Sequence, residues 1–135
     1  MFGAMTQDFA AIMPFMSLVG IAITSAAPGE VKGTLAWREE LCTTARVVHG
    51  GALMTLADSL GAVCAVLNLP PGAMTSTIES KTNFFRPLTS GTVHGTTIPL
   101  HVGRTTIVVQ TDLRDDAGKR VALVTQTQAV IQRPA

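Results

Sequence analysis

The amino-acid sequence predicts an α+β fold in which an antiparallel sheet bends around one long buried helix. Residues 51 to 68 are dominated by Ala, Leu and Met, contain no proline and are apolar on nearly every side, as a helix enclosed by other elements is. Four runs with strand composition follow it, separated by turn signals. Strands that meander after a single helix argue for an antiparallel sheet rather than for βαβ units.

The elements can be justified in chain order. Phe9 to Ile23 is an apolar-rich run of 15 residues without charge. No basic residue precedes it, as one would in a signal peptide. It is interrupted by Pro14, Ser17 and Gly20 and falls short of the about 20 apolar residues a membrane span needs. Two readings stand: a docked helix with Phe9, Ile12, Met13 and Met16 on one face, or a short helix from Pro14 to Val19 closed by Gly20. Met5 is an alternative natural start. Pro28-Gly29 marks a turn, after which Val31, Gly33, Leu35 and Trp37 alternate with polar or small residues in the period of a half-buried strand. Pro70-Pro71-Gly72 ends the long helix. Thr75 to Phe85, Thr92 to Val102, Ile107 to Leu113 and Val121 to Ile131 form the remaining strands, with turns at Ser90-Gly91 and Asp115-Asp116-Ala117-Gly118. With no repeat or linker, the 135 residues read as one domain.

Ten basic and nine acidic residues leave the chain nearly neutral, which argues against a nucleic-acid partner. Only 14% of residues are charged, against about 25% in typical soluble domains. The 47% hydrophobic content excludes disorder and predicts apolar surface covered by another subunit. Cys42 and Cys64 form no zinc or redox motif and read as reduced thiols of a cytoplasmic protein. His94 and His101 lack metal-ligand spacing, so no metal site is expected.

The chemistry concentrates around the helix. From Val47 to Ile78, 32 residues, Asp58 is the only Lys, Arg, Asp or Glu. Thr55, Ser59 and Ala62 share its face. An unpaired buried carboxylate costs several kcal/mol, so either a partner arrives from elsewhere or the face is wet. It reads either as a catalytic group or as a carboxylate held by loop amides or solvent. His49-Gly50-Gly51 opens the helix, where unpaired N–H groups at the positive end suit an anion or a developing oxyanion. A tight loop is the plain alternative.

The stretch VVHGGALMTLADSLGAVCAV (47 to 66), followed by IESKTNFFRP (78 to 87) and PLHVGRTT (99 to 106), resembles the hotdog-fold acyl-CoA thioesterases. Its nearest groups there are the phenylacetate-pathway (PaaI-type) and the hydroxybenzoyl- or dihydroxynaphthoyl-CoA thioesterases. The resemblance runs from about Pro14 to Ile131. It implies a hotdog fold, and dimers, commonly paired into tetramers, with active sites shared across the dimer interface. It makes Asp58 the catalytic carboxylate, as nucleophile or as general base for water. Gly50 N–H would polarise the thioester carbonyl for the partner subunit, with His49 supporting the loop and the Thr77 hydroxyl near the nucleophilic water. Gly51 and Ser59 would lie beside the substrate. Arg104, then Arg86 and Lys81, are candidates for the coenzyme A phosphates. Two positions depart from the family. Thr43 stands six residues before the histidine, where many members carry Asn or Gln, and Arg46 replaces a frequent glycine. A hydroxyl of Thr43 or Thr44 is the available substitute.

The function implied is hydrolysis of an aromatic or medium-chain acyl-CoA to free acid and coenzyme A, with no cofactor beyond water and no membrane partner. A non-catalytic acyl-CoA-binding protein is the alternative, disfavoured by Asp58 and favoured by Thr43. A hotdog hydratase would need an Asp/His pair on a segment overhanging the helix, and no matching pair is found. Trp37, Phe84 and Phe85 could contact an aromatic acyl group or pack in the core or dimer seam. Cys42, near His49, reads as a packed thiol rather than a nucleophile.

Overall fold

The computed structural model describes residues 8–134, so Met5 lies outside the described residues. The N-terminal run forms two short helices, α1 (Phe9–Ile12) and α2 (Pro14–Val19), rather than one docked helix. Asp8 caps α1 by accepting from Ala10 N and Ala11 N. Proline disfavours helical backbone at the residue before it, and Met13 accordingly leaves the helix at φ −126°, ψ 73°. Pro14 then starts α2, and Gly20 ends it in the left-handed region at φ 94°.

Strand β1 (Ala22–Ala27) pairs antiparallel through the Pro28-Gly29 turn with β2 (Glu30–Ala36). The sequence reading missed β1. Its first residues lie in the apolar run, and alanine and serine carry little strand propensity. Two short 3₁₀ turns, Glu39–Leu41 and Thr44–Arg46, lead into α3 (Gly50–Leu67). The remaining strands are β3 (Met74–Phe84), β4 (Thr92–Val102), β5 (Thr106–Arg114) and β6 (Arg120–Ile131). They complete a six-stranded sheet of order β1-β2-β4-β5-β6-β3. Every pairing is antiparallel.

α3 packs against all six strands. Leu53, Leu56, Leu60 and Val63 meet inward-facing residues such as Val31, Leu35, Val109 and Leu113 in one core. The closest approach is at Leu60. Gly33 and Gly95 face each other across β2 and β4. A Cβ on Gly33 would lie 2.6 Å from Leu60 Cδ2, and one on Gly95 would lie 2.5 Å from Leu60 Cδ1. Two side-chain-free positions thus form a slot in the sheet that receives one leucine.

The helix is central, yet the single chain leaves one stripe of it uncovered: Met54 and Asp58 are exposed, and Gly51, Thr55 and Ala62 half-buried. By length and composition alone α3 could cross a membrane, but half of it is buried within the chain. Strand β3 lies at the sheet edge and is exposed over most of its length, Ile78 included at 59%.

Leu60→Ala should cost about 2–5 kcal/mol by leaving a cavity in that slot. Gly95→Ala should cost about 1–3 kcal/mol by overfilling it. Urea unfolding of both variants measures this, and a neutral Gly95→Ala would show that the slot has room to spare.

Candidate active site

The loop before α3 is held on both sides. Cys42 and Val48 form an antiparallel bridge. His49 N donates to Leu41 O at 2.8 Å, and Val48 N donates to Leu88 O at 2.9 Å. Ala45 and Arg46 take positive φ, 58° and 61°, a conformation that glycine adopts most readily. Arg46 is held there by neighbours. Its guanidinium stacks 4.6 Å from the Trp37 ring centroid, and Trp37 Nε1 donates to its carbonyl at 2.9 Å. Trp37 is therefore a loop support rather than a free ligand-binding surface.

His49 is the N-cap of α3. Its Nδ1 accepts from Gly51 N at 2.7 Å, so the neutral ring carries its proton on Nε2. Its carbonyl accepts from Ala52 N at 2.9 Å and from Leu53 N at 3.4 Å. A helix begins with four N–H groups that have no partner within it. Here three of them are taken by His49, which leaves Gly50 N–H. Gly51 also permits the close ring, because a Cβ there would lie 2.9 Å from His49 Nδ1. A Cβ on Gly50 would lie 2.9 Å from Phe84 Cζ, so the Phe84 ring covers this backbone directly. Beside it lies a cleft of about 420 Å³ lined by Thr43, Val47, Val48, Leu53, Phe84 and Leu88 among others.

Asp58 projects from the uncovered stripe of α3. Its Oδ1 accepts from Gln126 Nε2 at 2.8 Å and from Thr77 Oγ1 at 3.2 Å. Thr77 Oγ1 in turn accepts from Gln128 Nε2 at 2.9 Å. The resemblance placed the Thr77 hydroxyl near the attacking water; the structure shows it on the Asp58 carboxylate itself. The two glutamines were missed. They occupy inward positions of β6, at 0% and 1% exposure, where strand alternation calls for apolar residues. That misplaced polarity was the available signal, and Thr125-Gln126-Thr127-Gln128 shows it in the sequence.

The other expected residues are less closely assembled. Ser59 is buried, and its hydroxyl donates to Thr55 O at 2.7 Å, so it turns into the helix rather than toward a ligand. Thr43 is exposed at the rim of the cleft beside Gly50. Arg86 lines the same cleft and donates to Arg120 O at 3.3 Å. Arg104 is exposed in the turn between β4 and β5, and Lys81 is exposed on β3. Cys42 is half-buried beside His49, its thiol within reach of Arg38 O. Burial pushes the Cys64 thiol up to about 11, which disfavours its thiolate at neutral pH. No group of three or more metal-ligating side chains occurs among the described residues.

Gly50 and Asp58 are eight residues apart on one helix, about 12 Å along its axis. A carbonyl polarised at Gly50 is therefore out of reach of the Asp58 of the same chain.

A family model described as the thioesterase superfamily matches residues 45–122. A Vibrio cholerae protein named "Putative esterase VC_A0580" is 36% identical over 84 residues, 62% of this chain and 56% of that protein. The chain thus spans little more than half the length of this relative. A Mycobacterium tuberculosis protein, "Putative esterase Rv1847", is 31% identical over 113 residues, 82% of this chain and 81% of that protein. Among solved structures, the Haemophilus influenzae thioesterase HI1161 superposes with a TM-score of 0.83 at 27% identity, covering 87% of this chain and 82% of that one. A mutant of the phenylacetic acid degradation protein PaaI from Thermus thermophilus superposes with a TM-score of 0.79 at 29% identity, covering 86% and 97%.

Removing the cap with His49→Ala should cost about 1 kcal/mol in chemical denaturation. His49→Asn, which keeps a side-chain acceptor at the N-cap, should recover most of it. Equal losses in the two variants would mean that the ring's packing matters and the cap does not.

Proposed function

The chain belongs to the thioesterase superfamily, and on that premise we propose that it hydrolyses an acyl-CoA thioester to the free acid and coenzyme A. The observation that carries the proposal is the pairing of an oriented, accessible carboxylate with an unclaimed N–H at the start of the same helix. Gly50 N–H stabilises the oxyanion that develops on the thioester carbonyl, a donor typically worth about 2.7–4 kcal/mol in the transition state. Asp58 either takes a proton from the attacking water or attacks the carbonyl carbon itself. The coenzyme A thiolate leaves in both routes, and water completes the reaction without a cofactor.

The 12 Å gap between these groups is closed by a second copy. The arrangement that does so packs two α3 helices antiparallel along their uncovered stripes with the two-fold axis at Met54, midway between residues 50 and 58 and itself exposed. Asp58 of each chain then faces Gly50 of the other, giving two shared sites per dimer. The exposed edge of β3 runs beside this stripe and supports the same pairing, since long open strand edges are ordinarily covered. Dimers of this kind would pair further into a tetramer.

The cleft beside Gly50 suits the acyl group. Its lining is apolar and aromatic, consistent with an aromatic or medium-chain acid and with a PaaI-like member of the family. Arg86 at its rim, with Lys81 three residues before Phe84 on β3, supplies positive charge for the coenzyme A phosphates at this cleft. Arg104 lies at the other end of the sheet, in the turn whose Thr105 carbonyl accepts from Val130 N, and would serve only the cleft of another copy. The second reading, a non-catalytic acyl-CoA-binding protein, draws on Thr43, whose short side chain replaces the amide that many members carry.

Thiol release from a panel of benzoyl, phenylacetyl and C6–C10 acyl-CoAs tests the function. Wild type should turn over at least one of these, and Asp58→Asn should be slower by at least about 100-fold at retained fold. An inert wild type that still binds acyl-CoA would favour the binding protein. Met54→Cys tests the pairing. Two helices packed about 9–10 Å apart bring facing Cα atoms to about 4.4–5.4 Å, within disulfide range. Mild oxidation should therefore yield a covalent dimer of this variant and not of wild type. A variant that stays monomeric on non-reducing gels would exclude the antiparallel arrangement centred on Met54.

A further inference from the structure

Gln126 does more than fill the core. Its side chain is fully buried on β6, yet its carboxamide reaches the exposed carboxylate of Asp58. Because an ionised carboxylate only accepts hydrogen bonds, the NH₂ end must face Asp58 and the carbonyl end must point away. That carbonyl, Oε1, is buried without a hydrogen-bond partner. Leaving a buried acceptor unpaired is costly, so the arrangement is not the one that stability alone favours. The carboxamide lies against Gly61, one helical turn after Asp58. A Cβ at Gly61 would lie 2.6 Å from Gln126 Cδ and closer still to Oε1. The missing side chain at Gly61 is what gives the carboxamide its place.

We infer that Gln126, seated over Gly61, is a positioning residue that fixes the Asp58 carboxylate so that Oδ2 is its reacting oxygen. Two donors converge on Oδ1. Gln126 supplies the first. Thr77 supplies the second, and its direction is set because the Gln128 amide donates to the Thr77 oxygen and leaves the hydroxyl proton for Asp58. Both lone-pair directions of Oδ1 are thereby filled. No hydrogen bond reaches Oδ2 among the described residues, so Oδ2 is the oxygen left for water or for the carbonyl carbon. The inference rests on the proposed role of Asp58 and adds which atom acts and what holds it.

Gln126→Met tests it, because it keeps the side-chain length, removes the donor and removes the unpaired acceptor. The expected result is a 10- to 100-fold lower kcat with KM within about twofold, the size of effect that a small misplacement of a reacting group produces. The thermal midpoint should stay level or rise. Gly61→Ala, which displaces the carboxamide from the helix side, should lower kcat in the same way while leaving KM within about twofold. Asp58→Asn is assayed in parallel on the same acyl-CoA. A Gln126→Met variant with wild-type kcat beside a crippled Asp58→Asn would overturn this inference alone. A loss of kcat accompanied by a comparable loss of folded protein would overturn it too, by assigning Gln126 a structural role. Undiminished turnover by Asp58→Asn would remove both this inference and the catalytic reading it rests on.

Discussion

The structure depends on how closely α3 is pressed into the sheet. Leu60 enters a slot that exists because Gly33 and Gly95 have no side chains. One residue later, Gly61 lets Gln126 lie flat against the helix. The same contact therefore does two things. It buries the central leucine of the core, and it brings a strand amide up to the carboxylate one turn earlier on the helix. A helix lifted by the thickness of a methyl group would lose both.

This close seating also decides what remains outside. With α3 against all six strands, the side left open along the edge of β3 carries Met54 and Asp58 to the surface. A helix that is apolar on nearly every side is thus left with an open stripe, next to an edge strand that is equally open. The low charge content of the chain has its physical counterpart here, because a surface short of charge is one that another subunit can cover. Gly50 N–H and the Asp58 carboxylate lie about 12 Å apart along that helix, too far apart to meet one carbonyl within a single chain.

The loop ahead of α3 illustrates how a departure from a family pattern can be absorbed. Arg46 adopts the positive φ that glycine would take without strain. Stacking on Trp37 and a bond from the indole to the Arg46 carbonyl hold it in place. The loop thereby still delivers His49 to the N-cap, where it accepts from three N–H groups and leaves that of Gly50 without a partner among the described residues.

Read without the structure, the sequence was already explicit about the α+β class, the long helix, five of the six strands and the turn at Pro28-Gly29. Periodicity and turn residues encode these locally. It also singled out Asp58 and His49-Gly50-Gly51, because an isolated charge in an apolar helix and paired glycines at its start are visible as pattern. The strand Ala22–Ala27 escaped because small residues carry weak local preference, and pairing with β2 makes it a strand. Ser59 shares the Asp58 side of the helical wheel, but its hydroxyl turns back to Thr55. Gln126 lies 68 residues beyond Asp58, and only strand order and helix seating bring the two together. Local preferences determined which segments are helix or strand and made the isolated carboxylate and the paired glycines visible. Long-range packing decided which oxygen of Asp58 is held, which is free, and which face of the helix stays open, because those depend on contacts between segments far apart in the chain.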